Sequence, residues 1–161
     1  MSYSTLILQK ENGLATITLN RPGELNAICP EMVTDLLDTI DEISKDEEIR
    51  AVLLTGAGRA FCAGGDVKEL LSSTDNPVEL MESSRSGARI ISGMRNMPKP
   101  WVAAINGPAI GAGCNLALGC DIIISGENAA FSLAFMNLGL HPDAGGIYLL
   151  TRLVAPPGPA S

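Results

Sequence analysis

Hydrophobic and polar positions divide the first third of the chain into a strand pair and an amphipathic segment. Two β-prone runs, 5–10 and 14–19, flank Asn12-Gly13, which is a strong signal for a type I′ hairpin. Between residues 30 and 47, apolar side chains recur at helical spacing, and Pro30 suits a first helical position. The pattern therefore predicts a β-hairpin followed by a helix with an acidic outer face.

Apolar runs and helical patterns alternate in the rest of the chain. Three runs bounded by turn-forming residues are predicted to be strands buried on both faces: 51–55, 101–105 and 121–125. Helices are predicted at 76–96, 114–118 and 145–154. Strands that alternate with helices are typical of βαβ units, so the pattern indicates an α/β fold.

Composition and charge limit the class of protein. Of 161 residues, 46% are hydrophobic and 18% are charged. This composition argues against a disordered chain, and the length and the apolar content are sufficient for one hydrophobic core. The formal net charge of −7 excludes a bulk basic surface for nucleic acid. No apolar run reaches the ~18 residues of a membrane span, and the N-terminus lacks a signal-peptide pattern. We therefore expect a cytoplasmic protein with no nucleic-acid or membrane partner.

The cysteines and the histidine do not form a recognisable metal motif. Cys29, Cys62, Cys114 and Cys120 lack zinc-type spacing, and His141 is the one histidine. This predicts no metal site and free thiols in a reducing compartment. Cys62 and Cys114 are interpreted as packing residues, because no neighbouring Lys or His suggests a lowered thiol pKa. His141 is interpreted as a surface or hydrogen-bonded histidine.

Two glycine-rich loops, 56–66 and 106–113, follow predicted strands. The first lacks the Gly-Lys-Ser/Thr of a P-loop, and Phe61 occupies the third glycine position of a dinucleotide-binding fingerprint. Either loop alone is consistent with a flexible turn. Together, two such loops can direct backbone N–H groups to one point in front of a helix N-terminus, which favours an oxyanion-binding site.

Four longer motifs carry a family resemblance: Thr18-Leu-Asn-Arg-Pro22, Phe61-Cys-Ala-Gly-Gly-Asp66, Gly111-Ala-Gly-Cys-Asn-Leu-Ala-Leu118 and Asp143-Ala-Gly-Gly146. In this order and spacing, over about residues 6–153, the chain resembles the crotonase, or enoyl-CoA hydratase/isomerase, superfamily. The resemblance implies an α/β, ClpP-like spiral of ββα units. It also implies an acyl-CoA thioester as the substrate, in fatty-acid or aromatic-compound metabolism, with no cofactor beyond the coenzyme A that the substrate carries.

The same resemblance implies the binding residues. The oxyanion-hole N–H groups are those of Gly65 and Ala112, which would bind the thioester carbonyl. Each such donor contributes roughly 3–4 kcal/mol to stabilising an enolate. The implied substrate-binding residues are Leu25, Ala27, Ala63, Gly64, Gly65, Asp66, Val67, Ala112 and Phe135.

The catalytic group implied by the resemblance is Asp143. Hydratases of the superfamily activate water with two glutamates, whose positions here hold Asn115 and Phe135, and neither can exchange a proton. Asp143 stands where single-aspartate isomerases carry their carboxylate. The run 134–146 is most similar to the ring-1,2-epoxyphenylacetyl-CoA isomerases, which also act as Δ3,Δ2-enoyl-CoA isomerases. The implied reaction is a double-bond shift with Asp143 as proton carrier.

Alternatives for this carboxyl and for the chain stay open. An apolar pocket around Phe135, Leu138 and Leu140 is expected to raise the pKa of Asp143, but Asp143 can also cap the following helix. The chain can instead be a hydratase of enoyl- or dienoyl-CoA that uses Asp143 alone. A third interpretation is that the chain is a non-catalytic fragment that binds acyl-CoA.

The end of the chain departs from the superfamily. Its members continue past residue 154 into helices that pack a trimer, so residues 1–153 are expected to be an incomplete, N-terminal core. A homotrimer or hexamer is expected of the full-length protein. Residues 154–161 form a Pro-rich tail that one base deleted from a glycine codon would explain, which raises the hypothesis of a frameshifted, truncated enzyme.

Overall fold

The computed structural model of the chain describes residues 3–72 and 77–154. Its strands are β1 Leu6–Glu11, β2 Leu14–Leu19, β3 Ala51–Gly56, β4 Trp101–Ile105, β5 Pro108–Ile110, β6 Ile122–Ser125 and β7 Ala130–Ser132. Its helices are α1 Pro30–Lys45, α2 Val67–Ser72, α3 Pro77–Asn96, α4 Ala112–Gly119 and α5 Gly146–Val154. Two short 3-10 helices cover Pro22–Glu24 and Ala134–Leu138.

The central sheet confirms the predicted α/β class. Its strand order is β1-β2-β3-β4-β6, in which β1 and β2 are antiparallel and the other neighbours are parallel. Asn12 and Gly13 both have positive φ, 52° and 83°, as the predicted type I′ hairpin requires. The parallel strands are joined by helical crossovers, as parallel pairing demands.

Parallel pairing places the two glycine-rich loops next to each other. β3 and β4 pair in parallel, with Leu54 opposite Ala103. Their carboxyl ends therefore lie at the same edge of the sheet, where ligands bind in open α/β sheets. The loops that follow, 56–66 and 106–113, begin side by side at this edge.

The core lies between the sheet and helices α1 and α3. Met32, Leu36 and Ile43 on α1 are buried, as the helical spacing predicts. Gly93 of α3 allows a close approach, because a Cβ there would lie 3.0 Å from Cγ2 of Ile40. Each buried side chain of this size stabilises the fold by roughly 1.5–3 kcal/mol.

The expectation that every internal strand is buried on both faces is wrong for β6. Ile122 and Ile124 of this strand are 53% and 60% exposed. β6 pairs with β4 at one end of the sheet order, and no further strand follows it among the described residues. We call the exposed apolar side chains of this edge strand, Ile122 and Ile124, the β6 edge.

Several element boundaries differ from the prediction. The first helix ends at Lys45 rather than at residue 47, and the helix predicted at 114–118 extends over Ala112–Gly119. β5, β7, α2 and the two 3-10 helices were not predicted. The tail predicted at 154–161 lies outside the described residues from position 155 onward. None of the helices described is both long and apolar enough to cross a membrane.

Candidate active site

A buried asparagine shapes the first glycine-rich loop. Asn26 has no exposed surface, and its Nδ2 donates to the carbonyls of Ala57 and Ala60 at 2.9 Å and of Phe61 at 3.2 Å. Its Oδ1 accepts a hydrogen bond of 2.9 Å from the backbone N–H of Arg21. The side-chain amide of Asn26 therefore supplies the hydrogen bonds that hold these loop carbonyls, and it fixes the backbone path of residues 57–61.

The two loops are joined by backbone hydrogen bonds. Cys62 N donates to Pro108 O at 3.1 Å, and Ile110 N donates to Cys62 O at 2.9 Å. Two glycines permit this contact. A Cβ at Gly113 would lie 2.3 Å from Cys62 O, and one at Gly64, whose φ is +97°, would lie 2.8 Å from Ile110 O. Glycine is thus required at both positions for steric reasons.

Two backbone donors at this junction have no acceptor. Among the described residues, neither Gly65 N nor Ala112 N donates to a protein oxygen. The two segments are adjacent, because a Cβ on Gly64 would lie 3.6 Å from Ala112 N. Ala112 is the first residue of α4, where N–H groups have no partner within the helix. The expected pair of oxyanion donors is therefore available to a ligand.

Both donors line one cavity of about 650 Å³. Its walls are the start of α1, the loop at Gly65 and Asp66, one side of α3, the first turn of α4 and the turn at Asp143 and Ala144. Ile90, Ile91 and Leu116 are among the apolar residues of its wall. No Lys or Arg is among the described residues that line it.

Asp143 lies in the wall of this cavity and is half-buried. Burial raises the pKa of its carboxyl above the ordinary aspartate value, which agrees with the expectation from sequence. Hydrogen bonds from the Ser84 hydroxyl and from the backbone N–H of Asp143 partly offset this rise. By contrast, the pKa values of four other carboxyls lie below the ordinary values: Glu31, Asp35, Glu42 and Asp46.

The turn that carries Asp143 is held through its main chain. Asp143 O accepts hydrogen bonds from Gly146 N at 2.8 Å and from Asn115 Nδ2 at 3.0 Å. The next two residues, Ala144 and Gly145, have φ of 45° and 80°. A left-handed alanine costs roughly 1–2 kcal/mol, so this turn depends on the contacts around it. The bond from Gly146 N at the start of α5 goes to the main-chain carbonyl of Asp143 rather than to its carboxyl.

The apolar environment of Asp143 differs from the one expected. Phe135 is buried in the 3-10 helix Ala134–Leu138, and Leu138 is 48% exposed. Neither these residues nor Leu140 lines the cavity. The expected pocket around them is wrong, because Asp143 turns instead toward α3 and α4.

The remaining predicted binding residues lie beside the cavity rather than in its wall. Leu25 has φ of 53°, and its carbonyl accepts from Ala63 N. Ala27 O accepts from Nη1 of Arg21, whose Nη2 lies 3.3 Å from a carboxylate oxygen of Asp66. Of the predicted set, the structure brings Gly65, Asp66, Ala112 and Asp143 into one cavity. It places Leu25, Ala27, Ala63, Gly64, Val67 and Phe135 outside its wall.

Ser84 is the neighbour of Asp143 that sequence reasoning missed. It lies in α3, within a segment predicted only as a helix, and no motif or spacing distinguishes it from the neighbouring Ser83 and Ser86. Its contact with Asp143 arises from the packing of α3 on the turn at Ala144, where a Cβ on Gly87 would lie 3.4 Å from Cβ of Ala144.

The cysteines lie in the protein interior. All four are free and buried, and burial raises the pKa of Cys62 and of Cys120 to about 12. Burial also raises the pKa of Cys114. The interpretation of Cys62 and Cys114 as packing residues is therefore confirmed. Among the described residues, no group of three or more His, Cys, Asp or Glu side chains is placed to hold a metal ion.

Comparison with known proteins identifies relatives of this chain. Residues 9–157 match the family model described as enoyl-CoA hydratase/isomerase. The chain is 43% identical over 145 residues to the 1,2-epoxyphenylacetyl-CoA isomerase of Escherichia coli (strain K12), covering 89% of this chain and 55% of that protein. It is 39% identical over 155 residues to the short-chain-enoyl-CoA hydratase of Clostridium acetobutylicum, covering 96% of this chain and 59% of that protein.

A solved structure shows the same fold. The enoyl-CoA hydratase from Bacillus anthracis superposes with a TM-score of 0.89 at 32% identity, over 95% of this chain and 59% of that one. The chain thus spans somewhat more than half the length of the relatives it matches.

Proposed function

Because the chain belongs to the enoyl-CoA hydratase/isomerase family, we propose that it binds an acyl-CoA thioester and shifts a double bond in the acyl group, with Asp143 as the proton carrier. One observation carries the proposal. A single cavity is lined by Asp143, whose carboxyl is half-buried, and by the two backbone donors Gly65 N–H and Ala112 N–H, which have no acceptor among the described residues.

The reaction begins with proton removal from a 3-enoyl-CoA. The Asp143 carboxylate takes a proton from C2, and the electron pair of the broken C–H bond spreads over the adjacent double bond and the thioester. The resulting dienolate oxygen accepts hydrogen bonds from Gly65 N–H and Ala112 N–H. Preorganised donors of this kind stabilise a developing oxyanion in a site with little water.

The same carboxyl then completes the reaction. Asp143 returns its proton to C4, and the electron pair at C4 forms the new C–H bond, so the product is the conjugated 2-enoyl-CoA and the carboxylate is regenerated. A carboxyl with a raised pKa suits this task, because it holds the proton between the two transfers more readily than an exposed aspartate does.

The environment of Asp143 favours isomerisation over hydration. The Asn115 amide donates to the carbonyl of Asp143, and Phe135 does not line the cavity, so neither activates water. The Asp66 carboxylate is paired with Arg21. Since the 39% identical relative from Clostridium acetobutylicum is a hydratase, addition of water is the second candidate, and the product of the reaction distinguishes the two.

We also propose that the complete protein associates into oligomers and that it lies in the cytoplasm. A homotrimer or hexamer of the complete protein would bury the exposed apolar side chains of the β6 edge. Four free thiols fit a reducing cytoplasm.

A single NMR experiment tests the proposed reaction. A 3-enoyl-CoA is added to the protein in D₂O, and the products and the position of deuterium are followed over time. The proposal expects a 2-enoyl-CoA, with activity lost in Asp143→Asn while coenzyme A thioester binding is retained. A parallel sample contains the conjugated 2-enoyl-CoA, to which water adds, and its conversion to a 3-hydroxyacyl-CoA without turnover of the 3-enoyl-CoA would favour the hydratase. Binding without either product would contradict catalysis by this chain.

A further inference from the structure

Asn115 connects the two halves of the candidate active site. It lies on α4 three residues after Ala112, so both residues face the same side of the helix, and both line the cavity. The Asn115 side chain is almost completely buried, with 1% of its surface exposed. Its Nδ2 donates at 3.0 Å to the main-chain carbonyl of Asp143. One helix therefore supplies an oxyanion donor and also holds the residue that carries the carboxyl.

The fit between this amide and the start of α5 is close. A Cβ at Gly146 would lie 2.2 Å from Oδ1 of Asn115 and 2.9 Å from its Cγ. The amide thus packs directly against Gly146, and any side chain at position 146 would displace it. Gly146 N also donates to Asp143 O, so the glycine and the amide approach the same carbonyl.

The amide is not explained by stability alone. Its Oδ1 is buried and has no hydrogen-bond partner among the described residues. Removal of the amide would leave Asp143 O with its bond from Gly146 N. Replacing a buried polar group by an apolar one of the same shape is often close to neutral when no partner is left unsatisfied. A contribution to the geometry of the site is the remaining reason for an amide here.

We infer that Asn115 is a positioning residue that ties the turn carrying Asp143 to α4 and so sets the place of its carboxyl relative to the Ala112 N–H. The inference rests on the proposed function, in which Asp143 carries the proton. The turn needs such a tie, because Ala144 and Gly145 adopt left-handed φ and strained segments persist where their surroundings hold them.

Two single variants and their combination test this role. Asn115→Leu removes the amide but keeps its shape, and Gly146→Ala keeps the amide but displaces it. Each variant is expected to lower kcat about tenfold or more with little change in KM, because small misplacements of a catalytic group are costly. The double variant is expected to lose no more than either single one, since both act through one contact.

A measurement that does not need turnover separates this inference from the proposed reaction. The Asp143 carboxyl is titrated by ¹³C NMR in the wild-type protein and in the variants. Burial holds its pKa up, so a loosened turn in Asn115→Leu and Gly146→Ala is expected to shift the midpoint down toward the ordinary aspartate value. Thr39→Val, an isosteric change at a buried polar side chain outside the cavity, is the control and leaves the midpoint unchanged.

The outcomes divide clearly. A downward shift in both variants supports Asn115 as a positioning residue even if the wild-type protein fails to isomerise 3-enoyl-CoA, which would overturn only the proposed reaction. A wild-type midpoint in Asn115→Leu would overturn the inference. It would also be overturned if thermal stability and kcat fell together while the titration stayed the same.

Discussion

Gly64 packs against the carbonyl oxygen of Ile110, from which a Cβ at position 64 would be only 2.8 Å away. Gly64 also has a φ of +97°, a conformation that side-chain-bearing residues rarely adopt. The next residue, Gly65, has neither constraint, since no atom lies within 4 Å of the position its Cβ would take. Two adjacent glycines therefore have different roles, one in joining the loops and one in leaving the cavity open.

This difference predicts the effects of two alanine substitutions. Gly64→Ala is expected to lower the free energy of unfolding by at least about 2 kcal/mol, because it combines a backbone clash with a left-handed φ. Gly65→Ala is expected to leave stability within about 0.5 kcal/mol, as for an unstrained surface change. Urea unfolding of both variants measures the difference. Equal losses in the two variants would contradict the assignment.

The fold could be predicted from sequence where local patterns are strong. The Asn12-Gly13 hairpin requires positive φ at both residues, and α1 has a regular apolar face, so both were predicted correctly. The short strand Pro108–Ile110 was missed because it pairs with Ala130–Ser132, about 20 residues further along the chain. A three-residue strand leaves no period to detect, so only long-range pairing defines it.

The candidate site was predictable to the extent that its residues lie in motifs. Gly65, Ala112 and Asp143 follow from family resemblance, and the structure places them in one cavity. Ser84 did not follow, because nothing local marks it and its contact depends on how α3 packs. The predicted pocket around Phe135 was wrong for the same reason, because tertiary contacts decide the direction in which the Asp143 side chain points.

Ser84 is expected to tune the acidity of Asp143. Its hydroxyl donates to the carboxyl and so favours the charged form, which partly offsets the effect of burial. Ser84→Ala is therefore expected to raise the pKa of Asp143 further above the ordinary aspartate value. The acidic limb of the kcat/KM profile should move to higher pH, because proton removal needs the carboxylate. Ser125→Ala, at an exposed serine of β6 outside the cavity wall, is the control.

Asp143 is also expected to affect how stability depends on pH. Because its pKa is raised in the folded state, the folded protein binds more protons than the unfolded chain between the two pKa values. Its contribution to stability is therefore greatest below the unfolded pKa of about 3.9 and is lost as the pH rises through the folded value. Unfolding of wild-type protein and Asp143→Asn across this window should show the wild type losing stability relative to the variant. A pH-independent difference would contradict the raised pKa.

The ion pair between Arg21 and Asp66 is expected to matter more than those at the surface. The side chains are only 20% and 15% exposed, and Nη1 of Arg21 also donates to Ala27 O. Arg21→Met is expected to destabilise the protein by about 2 kcal/mol, because it leaves a partly buried carboxylate without its partner. Lys45→Met breaks the exposed pair with Asp41, at 72% and 63% exposure, and is expected to cost at most about 0.5 kcal/mol. Thermal unfolding of the two variants provides the comparison.

The β6 edge is expected to drive association with further copies of the chain. Ile122 and Ile124 are 53% and 60% exposed on this edge strand. Contiguous exposed apolar side chains often mark an interface. Ile124→Asp is therefore expected to shift sedimentation velocity profiles toward the monomer, because burying an unpaired carboxylate opposes association. Ile7→Asp introduces the same charge at the 44% exposed Ile7 on β1, the opposite edge strand of the sheet, and is expected to leave the profile unchanged. Equal effects of the two substitutions would show that association does not depend on the β6 edge.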